Sequence, residues 1–413
     1  MELQIDRERL SRELDELGAI SAEPAPVVTR VVFTEADLRG RRFVKDLCIE
    51  AGLEVREDPI GNTFARWTGS APDIPAVATG SHIDAIPNAG RFDGTVGVLG
   101  GLEAIRSLRR TGFQPRRSIE LMVFTSEEPT RFGIGCFGSR MMAGALPIAA
   151  GDKLRDPEGK SLDDVRRAAG FTGDLSLIPV SKEKYSAFIE LHIEQGPTLE
   201  REQVDIGIVT AIAAPATLRI EIEGEGGHAG ALLMPQRRDA FLAAAEIALA
   251  VESAAKATGA IDTVGTTGIC DIFPRAVNSI PSRARMEIDV RDIDGTRRDV
   301  VLASISRAAE EIASRRNVTL RNELLNADPP ASCDPGAVAE LETACQTHGA
   351  SYRFMISRAY HDSLFMSLII PTAMIFIPSR RGVSHRPDEY SSPEAIATGA
   401  LVLAETLSRL SRE

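Results

Sequence analysis

Histidines and acidic residues stand together at the ends of several apolar runs, in combinations that suit metal-assisted hydrolysis. Only six histidines occur among the 413 residues. Five of them stand in short motifs: Gly80-Ser-His82-Ile-Asp84, His192-Ile-Glu194-Gln195-Gly196, Gly226-Gly-His228-Ala-Gly230, Tyr360-His361-Asp362 and Ser384-His385-Arg386-Pro387. Two adjacent glutamates, Glu127 and Glu128, follow the apolar run 119–124. This pair predicts a general base next to a metal ligand.

Imidazole and carboxylate groups bind hard or borderline divalent metals, and a two-metal site needs a carboxylate that bridges the ions. The chain offers one such set, with His82, Asp93 and His192 for one ion and Asp93, Glu128 and His385 for the second. Asp84 lies two residues beyond His82 in an extended segment, so it points to the same side and is placed to orient the imidazole. Glu127 is adjacent to a ligand but directed elsewhere, and we expect it to act as the base for a bridging water.

Each motif taken alone has a plainer interpretation. A single histidine in a loop after a strand is structural more often than catalytic, and adjacent glutamates usually lie on solvated helix faces. Here Glu127-Glu128 follows a hydrophobic run and precedes Pro129, which does not suit a surface helix. Complementary ligand types in four such motifs therefore favour a metal centre.

The elements that must position these side chains can be predicted from the same sequence. Four apolar runs end directly in the motifs, at 75–79, 119–124, 187–191 and 372–377. Such runs are typical of strands in an open α/β sheet, whose site lies outside the carboxyl edge. A helix is predicted to begin after Asp93-Gly94, and its Gly97, Gly100 and Gly101 predict close packing on the sheet. A final helix is predicted with Ser392 as its cap and Pro393 as its first residue.

The pattern changes near Ala213. Strand, helix, strand, strand, helix and strand are predicted over 217–223, 239–253, 262–270, 283–290, 299–314 and 318–323. This βαββαβ order fits a ferredoxin-like unit, and the proline-rich segment 328–335 predicts the linker that returns from it. We therefore expect a discontinuous catalytic domain of residues 1–212 and 328–413 and an inserted lid domain of residues 213–327.

Composition excludes several other functions. The net charge of −12 and the absence of a basic cluster argue against a nucleic-acid partner. No run of 18 apolar residues predicts a membrane span, and the charged first ten residues do not suit a signal peptide, so we expect an unexported, cytoplasmic protein. Five scattered cysteines without a C-x-x-C pair indicate neither a disulfide framework nor a thiolate zinc site.

From about residue 25 onward the chain resembles the two-metal amidohydrolases that act on allantoate, N-carbamoyl-L-amino acids and ureidoglycolate. It is more distantly similar to aminoacylases and metallo-carboxypeptidases. The resemblance rests on Gly80-Ser-His-Ile-Asp84, Phe92-Asp-Gly94, Ser126-Glu-Glu128, Glu190-Leu-His-Ile-Glu-Gln-Gly196, Gly227-His-Ala-Gly230 and Ser384-His385. It implies the same ligands and the same base, Glu127. It also implies an α/β fold: a three-layer catalytic domain of the metallo-aminopeptidase/carboxypeptidase type with an inserted α+β ferredoxin-like lid and dimerisation domain.

The resemblance further implies two divalent metal ions per subunit, with Mn²⁺ expected and Zn²⁺ as the alternative. It implies a homodimer formed through the lid domain. In related enzymes the histidine that corresponds to His228 reaches into the partner's metal site and stabilises the oxyanion. The alternative is a structural histidine that satisfies its own turn.

Within the family, one segment predicts the substrate. Allantoate and carbamoyl-amino-acid hydrolases carry a Gly-Ala-Gly run before a His-Asp pair, whereas this chain has Arg358-Ala359-Tyr360 before His361-Asp362. In this segment the chain resembles the ureidoglycolate-hydrolysing subgroup. The resemblance implies conversion of (S)-ureidoglycolate to glyoxylate, ammonia and carbon dioxide in purine and allantoin catabolism. The added phenol should shrink the pocket, as suits a small ureido acid. Hydrolysis of allantoate or an N-carbamoyl amino acid is one alternative, and a non-catalytic binding protein of the same fold is another.

Substrate contacts are expected from five side chains: Gln195, Asn278, Arg291, Tyr360 and His361. Arg291 can grip a carboxylate with two parallel hydrogen bonds. Its alternative is a surface salt bridge with Asp289 or Asp292. The amides can bond a ureido or carboxylate group, although amides in loops are more often turn residues.

Overall fold

The computed structural model describes residues 2–412. Over these residues the chain forms twelve α-helices: α1 (Arg7–Ala19), α2 (Glu35–Glu50), α3 (Thr95–Arg110), α4 (Phe137–Met142), α5 (Ile148–Gly151), α6 (Leu162–Ala168), α7 (Thr198–Glu202), α8 (Ala240–Ala257), α9 (Gly295–Arg316), α10 (Pro335–His348), α11 (Asp362–Met366) and α12 (Pro393–Arg412). Short 3-10 helices lie at Leu175–Leu177, Met234–Gln236 and Arg380–Gly382. None of the helices in this part of the chain is long and apolar enough to cross a membrane.

The same residues form seventeen strands: β1 (Val28–Arg30), β2 (Glu54–Glu57), β3 (Thr63–Trp67), β4 (Ala76–His82), β5 (Ala85–Ala89), β6 (Ile119–Phe124), β7 (Tyr185–Ile193), β8 (Ile206–Ile212), β9 (Ala214–Glu223), β10 (Gly227–His228), β11 (Val264–Phe273), β12 (Ser279–Ile280), β13 (Arg283–Asp292), β14 (Thr319–Ala327), β15 (Ala331–Ser332), β16 (Tyr352–Ser357) and β17 (Thr372–Ile377). β1 pairs with β5, and β10 pairs with β12, each in an antiparallel ladder.

The larger sheet has the strand order β15-β8-β17-β7-β4-β6-β3-β2, with β16 paired to β8. Its central strands β17, β7, β4 and β6 are neighbours and run parallel. β3 and β8 are antiparallel to their central neighbours. The four central strands are the four predicted runs, and their carboxyl ends share one edge of the sheet. The predicted α/β arrangement is therefore confirmed.

Helices cover both faces of this sheet. Successive side chains on a strand point to opposite faces, so neighbouring residues of one strand pack against different helices. Leu121 of β6 faces α3, where a Cβ added at Gly101 would come within 2.9 Å of its Cδ1. The next residue, Met122, packs in a buried cluster on the other side with Phe124 and with Phe137 of α4. The catalytic part of the chain therefore has the three layers that were predicted.

The α3 helix lies unusually close to the sheet, as its glycines predicted. A Cβ added at Gly97 would lie 2.3 Å from the carbonyl oxygen of Leu191, so only glycine fits there. The last helix also begins as predicted, since Pro393 is its first residue and the Ser392 hydroxyl accepts the N–H of Ala395 at 3.1 Å.

A second sheet contains β11, β13, β9 and β14 in that order, and all its ladders are antiparallel. The helices α8 and α9 pack on it through a buried apolar cluster that includes Ile220, Ile247, Ile288 and Ile305. The elements follow one another as βαββαβ along the chain, which is the predicted ferredoxin-like order.

The chain divides into two compact units. The first contains Met1–Thr210, Ser332–Ser357 and His361–Glu413, and the second contains Ala211–Ala331 together with Arg358–Tyr360. The predicted boundaries put residues 358–360 in the catalytic domain. They belong to the second unit because Arg358 pairs with Asp262, and the Tyr360 hydroxyl donates to Asp328 Oδ2 at 3.1 Å.

Candidate metal centre and catalytic residues

The carboxyl edge of the large sheet gathers five of the predicted residues. His82 is the last residue of β4, His192 lies near the end of β7, and Glu127 and Glu128 follow β6 directly. His385 lies in the loop after β17, with a positive φ of 58°. Because the strands are parallel, their ends bring these side chains to one place.

Asp93 lies at the centre of the cluster. Its Oδ1 is 3.2 Å from His192 Nε2 and 3.7 Å from His82 Nε2, and its Oδ2 is 3.1 Å from His385 Nε2. Its approach to His82 depends on a glycine, since a Cβ added at Gly94 (φ +66°) would lie 2.4 Å from His82 Nε2. One carboxylate therefore faces three imidazoles, two through one oxygen and one through the other.

Two groups of ligand atoms share Asp93. His82, Asp93 and His192 offer atoms that lie within 4.8 Å of one another, and so do Asp93, Glu128 and His385. Within the second group, Glu128 Oε1 lies 3.3 Å from His385 Nε2. The side chains grouped in this way are those that the sequence predicted as ligands of two ions.

The two buried imidazoles are oriented for metal binding. His82 Nδ1 lies 3.0 Å from the carbonyl oxygen of Asp84, and His192 Nδ1 lies 2.9 Å from that of Ile193. A carbonyl oxygen only accepts, so Nδ1 carries the proton and the Nε2 lone pair of the neutral ring points at Asp93. Nitrogen lone pairs that face carboxylate oxygens form a donor set for a divalent cation. The residues present therefore fit a metal centre.

The charges in the cluster lead to the same conclusion. Burial would raise the pKa of Asp93, but hydrogen bonds from His192, His385 and His82 hold it well below the usual value. Burial opposes protonation of His82, yet nearby carboxylates, Glu127 foremost, raise its pKa. The buried carboxylates thus attract positive charge strongly. Either protons on the histidines or bound divalent ions can supply that charge.

Glu127 belongs to neither ligand group but lies beside the first. It is 8% exposed, and its Oε2 is 3.8 Å from His82 Nε2. Burial raises the pKa of Glu127 well above the usual value, against the opposing effect of His82. A carboxylate with a raised pKa next to a metal centre can accept a proton and release it again.

Asp84 acts on this site through two different groups. The closest partner of His82 Nδ1 is the main-chain carbonyl of Asp84, whereas the carboxylate Oδ1 lies at 3.6 Å. The carboxylate instead accepts the main-chain N–H groups of Glu127 and Glu128, at 3.2 and 3.1 Å. Asp84 thus holds the imidazole with its carbonyl and both glutamates with its side chain.

Glu389, which is not among the predicted site residues, holds the main chain around Asp93. Its Oε1 accepts the N–H groups of Phe92 and Asp93 at 2.8 and 3.1 Å, and its Oε2 lies 2.8 Å from the Ser384 hydroxyl. Burial raises its pKa to about 7. The available signal was its position four residues after His385 in the same loop.

Gln195, predicted to contact substrate, contacts Asp93 in this structure. Its Nε2 donates to Asp93 Oδ2 at 2.8 Å and lies 3.2 Å from Ser384 Oγ. Its Oε1 is buried and has no hydrogen-bond partner among residues 2–412. The amide therefore leaves one buried acceptor next to the candidate metal ligands.

His361 is buried beside a predicted ligand. Its ring centroid lies 4.6 Å from that of His192, and its Nε2 lies 3.0 Å from Ser357 Oγ. Burial, reinforced by the nearby histidines, lowers its pKa well below the usual value, so the ring is neutral. Glu190, His192 and His361 form a third possible ligand group. We assign no metal to it, because Ser81 and Ser363 already donate to the two oxygens of Glu190.

The other predicted residues lie in the second unit. His228 is exposed, and its Nδ1 accepts the N–H of Gly230 at 3.1 Å. Asn278 lies opposite this turn, and its main-chain carbonyl oxygen accepts the N–H of Ala229 at 2.9 Å. The Nδ1 bond fixes the tautomer, so the neutral ring of His228 carries its proton on Nε2.

Arg291 forms a salt bridge with Asp289, which was the alternative to a substrate contact for this residue. Its Nε and Nη2 donate to the two oxygens of Asp289 at 2.8 and 3.2 Å, and its Nη1 donates to the carbonyl of Arg358 at 3.3 Å. These bonds use three of the five guanidinium N–H groups and leave one on each terminal nitrogen.

The chain is similar to known hydrolases and amidohydrolases over nearly its whole length. The pattern of peptidase family M20/M25/M40 matches residues 78–409. The chain is 53% identical to ureidoglycolate hydrolase of Arabidopsis thaliana over 416 residues, which is 99% of this chain and 87% of that protein. It is 40% identical to N-carbamoyl-L-amino acid amidohydrolase of Geobacillus stearothermophilus over 411 residues, 99% of each chain. The crystal structure of AtUAH in complex with (S)-hydroxyglycine matches with a TM-score of 0.93 at 52% identity, covering 100% of this chain and 99% of that one.

Proposed function

Because this chain belongs to peptidase family M20/M25/M40, we propose that its metal centre hydrolyses the ureido C–N bond of (S)-ureidoglycolate. Water adds to the ureido carbonyl carbon and ammonia leaves. Loss of carbon dioxide then gives hydroxyglycine, which breaks down to glyoxylate and a second ammonia. The reaction belongs to the degradation of purines through allantoin.

The similarity to ureidoglycolate hydrolase over nearly the whole chain carries this proposal. That identity is 53%, against 40% for the carbamoyl-amino-acid hydrolase. The matched crystal structures of AtUAH contain (S)-hydroxyglycine in one case and glyoxylate in the other, which are the two compounds expected after the first ammonia leaves. The Arg358-Ala-Tyr360 segment supports the same substrate.

Two divalent ions would be held by His82, Asp93 and His192 and by Asp93, Glu128 and His385. The carboxylate oxygens favour manganese, and zinc is the alternative because imidazole suits it as well. When bound, the ions supply Lewis-acid activation of the attacking water, whose pKa falls toward about 7.

Glu127 is the general base in this proposal. Its Oε2 faces the first ligand group at 3.8 Å from His82 Nε2, so this oxygen accepts the proton of the attacking water. The same oxygen then returns the proton to the leaving nitrogen, which departs as ammonia rather than as an amide anion.

His228 supplies the oxyanion donor in this proposal. Its Nδ1 is occupied by the N–H of Gly230, which leaves an exposed Nε2–H to donate to the oxygen of the tetrahedral intermediate. We assign this contact to the metal site of the other subunit in a homodimer.

Unpaired backbone along β11 supports the homodimer. This strand is at one end of the four-stranded sheet, so one row of its main-chain N–H and C=O groups has no neighbouring strand. Its side chains Val264, Ile269 and Phe273 are exposed, as is Leu249 on the adjacent α8. Pairing of β11 with its copy in a second subunit would cover these groups about a two-fold axis.

The substrate contacts follow from groups that still have bonding capacity. The unpartnered Oε1 of Gln195 can accept a ureido N–H, and the two remaining N–H groups of Arg291 can grip the substrate carboxylate. Asn278, Tyr360 and His361 complete the proposed set, and we assign the α-hydroxyl of the substrate to the Tyr360 hydroxyl.

The test is turnover measured after reconstitution with Mn²⁺ on ureidoglycolate, allantoate and a series of N-carbamoyl amino acids. We expect ureidoglycolate to have the highest kcat/KM. A clear preference for an N-carbamoyl amino acid or for allantoate would overturn the substrate assignment. A metal-loaded protein that is inert on the whole panel would indicate a binding protein instead.

A further inference from the structure

The thiol of Cys136 lies against the carboxylate of Glu127. Its Sγ is 3.6 Å from Glu127 Oε1, and Cys136 is fully buried. In this contact the S–H donates and the glutamate oxygen accepts. Burial, with a smaller effect from Glu127, raises the pKa of the Cys136 thiol, and the proton therefore stays on sulfur.

The main chain fixes the position of this thiol relative to Glu127. The N–H of Cys136 donates to the carbonyl of Glu127 at 2.8 Å, and the next two N–H groups, of Phe137 and Gly138, donate to Ser126 and Thr125 at 3.1 and 3.0 Å. Cys136 itself has a left-handed conformation, with a φ of 55°. Three consecutive bonds thus hold residues 136–138 against residues 125–127.

The two oxygens of Glu127 consequently have different surroundings. Oε1 faces the Cys136 thiol, whereas Oε2 faces the first ligand group at 3.8 Å from His82 Nε2. The backbone of Glu127 is already held by Asp84 at its N–H and by Cys136 at its C=O. The remaining freedom is rotation of the side chain, and the thiol restricts that rotation.

We propose that Cys136 is a positioning residue for the base, whose S–H holds Oε1 of Glu127 so that Oε2 is presented to the attacking water. This inference rests on the proposed role of Glu127 as the base. It adds a residue that acts through Glu127 without touching substrate or metal.

The first test compares Cys136→Ala, which removes the donor, with Cys136→Ser, which keeps one. With Mn²⁺ bound, we expect Cys136→Ala to lower kcat about fivefold to tenfold with little change in KM, because one weak hydrogen bond is lost. Cys136→Ser should recover most of that loss. Cys48→Ala, which removes another fully buried thiol, is the matched control and should leave kcat unchanged.

Metal content and melting temperature separate this role from a packing role. If Cys136→Ala and Cys136→Ser lose the same activity, or if KM or metal content accounts for the change, the positioning role is wrong. If Cys136→Ala fails to fold, Cys136→Ser alone still tests the positioning role. Its kcat should be close to that of wild type only if the serine hydroxyl replaces the thiol as the donor.

A second readout does not depend on activity. The S–H stretching band of Cys136 can be isolated in metal-free protein as the infrared difference between wild type and Cys136→Ala. We expect this band at lower frequency in wild type than in Glu127→Ala, where the acceptor is gone. An unchanged band would overturn the hydrogen bond itself. A different result is also informative: the band shifts between wild type and Glu127→Ala as expected, but Glu127→Gln remains active. In that case Glu127 is not the base, although the hydrogen bond between Cys136 and Glu127 exists.

Discussion

The carboxylate of Asp84 accepts the main-chain N–H of Glu128 at 3.1 Å. This bond links the residues that follow β4 to those that follow β6, and a second bond from the N–H of Glu127 strengthens the link. Since Glu127 and Glu128 have different expected roles, Asp84 sets the backbone from which both side chains project.

Replacement of Asp84 by alanine should therefore weaken both folding and metal binding. The two buried N–H groups lose their acceptor, at a cost of about 1–3 kcal/mol for each group left unsatisfied. Metal affinity should fall by roughly 10- to 100-fold, as for other residues that orient ligands. Chemical denaturation and metal titration measure the two effects. Asp84→Asn keeps one acceptor oxygen and should be milder, and wild-type behaviour of the alanine variant would contradict this role.

Glu127→Gln should keep its fold and its metals but lose most of its activity. The amide cannot carry the proton from water to the leaving nitrogen, so kcat should fall by about 100-fold or more. Elemental analysis and steady-state kinetics on the same sample provide the measurement. Loss of both metals in this variant would mean that the base and ligand assignments are exchanged.

Tyr360→Gly should change which ureido acids are turned over. The substitution removes the phenol and its bond to Asp328 Oδ2 at 3.1 Å, so we expect weaker turnover of ureidoglycolate and better turnover of bulkier carbamoyl acids. Tyr360→Phe is the control that keeps the ring and removes only the hydroxyl. An unchanged ratio of kcat/KM values between the two substrate classes would show that Tyr360 does not determine specificity.

Hybrid dimers should show whether His228 acts across a subunit interface. Homodimers of Glu127→Ala and of His228→Ala should each be nearly inactive. After dissociation and random remixing, half of the dimers are hybrids with one intact site of two, so activity should return to roughly a quarter of wild type. Mass spectrometry confirms mixing. If mixed hybrids recover nothing, His228 acts within its own subunit or not at all.

Metal removal should make the stability of the protein depend on pH. The hydrogen bond between His385 and Asp93 raises the pKa of His385 from 6.5 to about 9. Burial raises the pKa of Glu128 from 4.5 to about 8. Both groups bind protons more tightly in the folded than in the unfolded protein, so stability falls as the pH rises. The stabilisation from protonated His385 is lost as the pH rises through about 9, and the cost of burying ionised Glu128 grows as the pH rises toward about 8. Metal-free protein should melt at a lower temperature at pH 9 than at pH 6.5. Bound Mn²⁺ should reduce that difference, and a chelator should restore it. A metal-free melting temperature that rose with pH would contradict the prediction.

The strands and the ligand types of this protein can be predicted from its amino-acid sequence. An apolar run followed by histidine or glutamate predicts a buried strand with a polar end, and parallel strands bring such ends to one edge. His82, Glu128 and His192 could be assigned for this reason, because each follows from local sequence and one topological rule. Asp93 and His385 lie outside the strands, but their residue types complete the two ligand sets, and the family motifs imply the same two residues.

Several contacts of the site depend on how the chain packs in three dimensions and could not be predicted from its sequence. The sequence around His82 does not show whether the carbonyl or the carboxylate of Asp84 is its partner, and the position of Glu389 close to His385 does not show that it holds the main chain of Asp93, 296 residues away. The same holds for Cys136 against Glu127, where a left-handed residue and three backbone bonds set the distance. Such contacts are the result of packing between whole elements, so they appear only when the complete sheet and its helices are assembled.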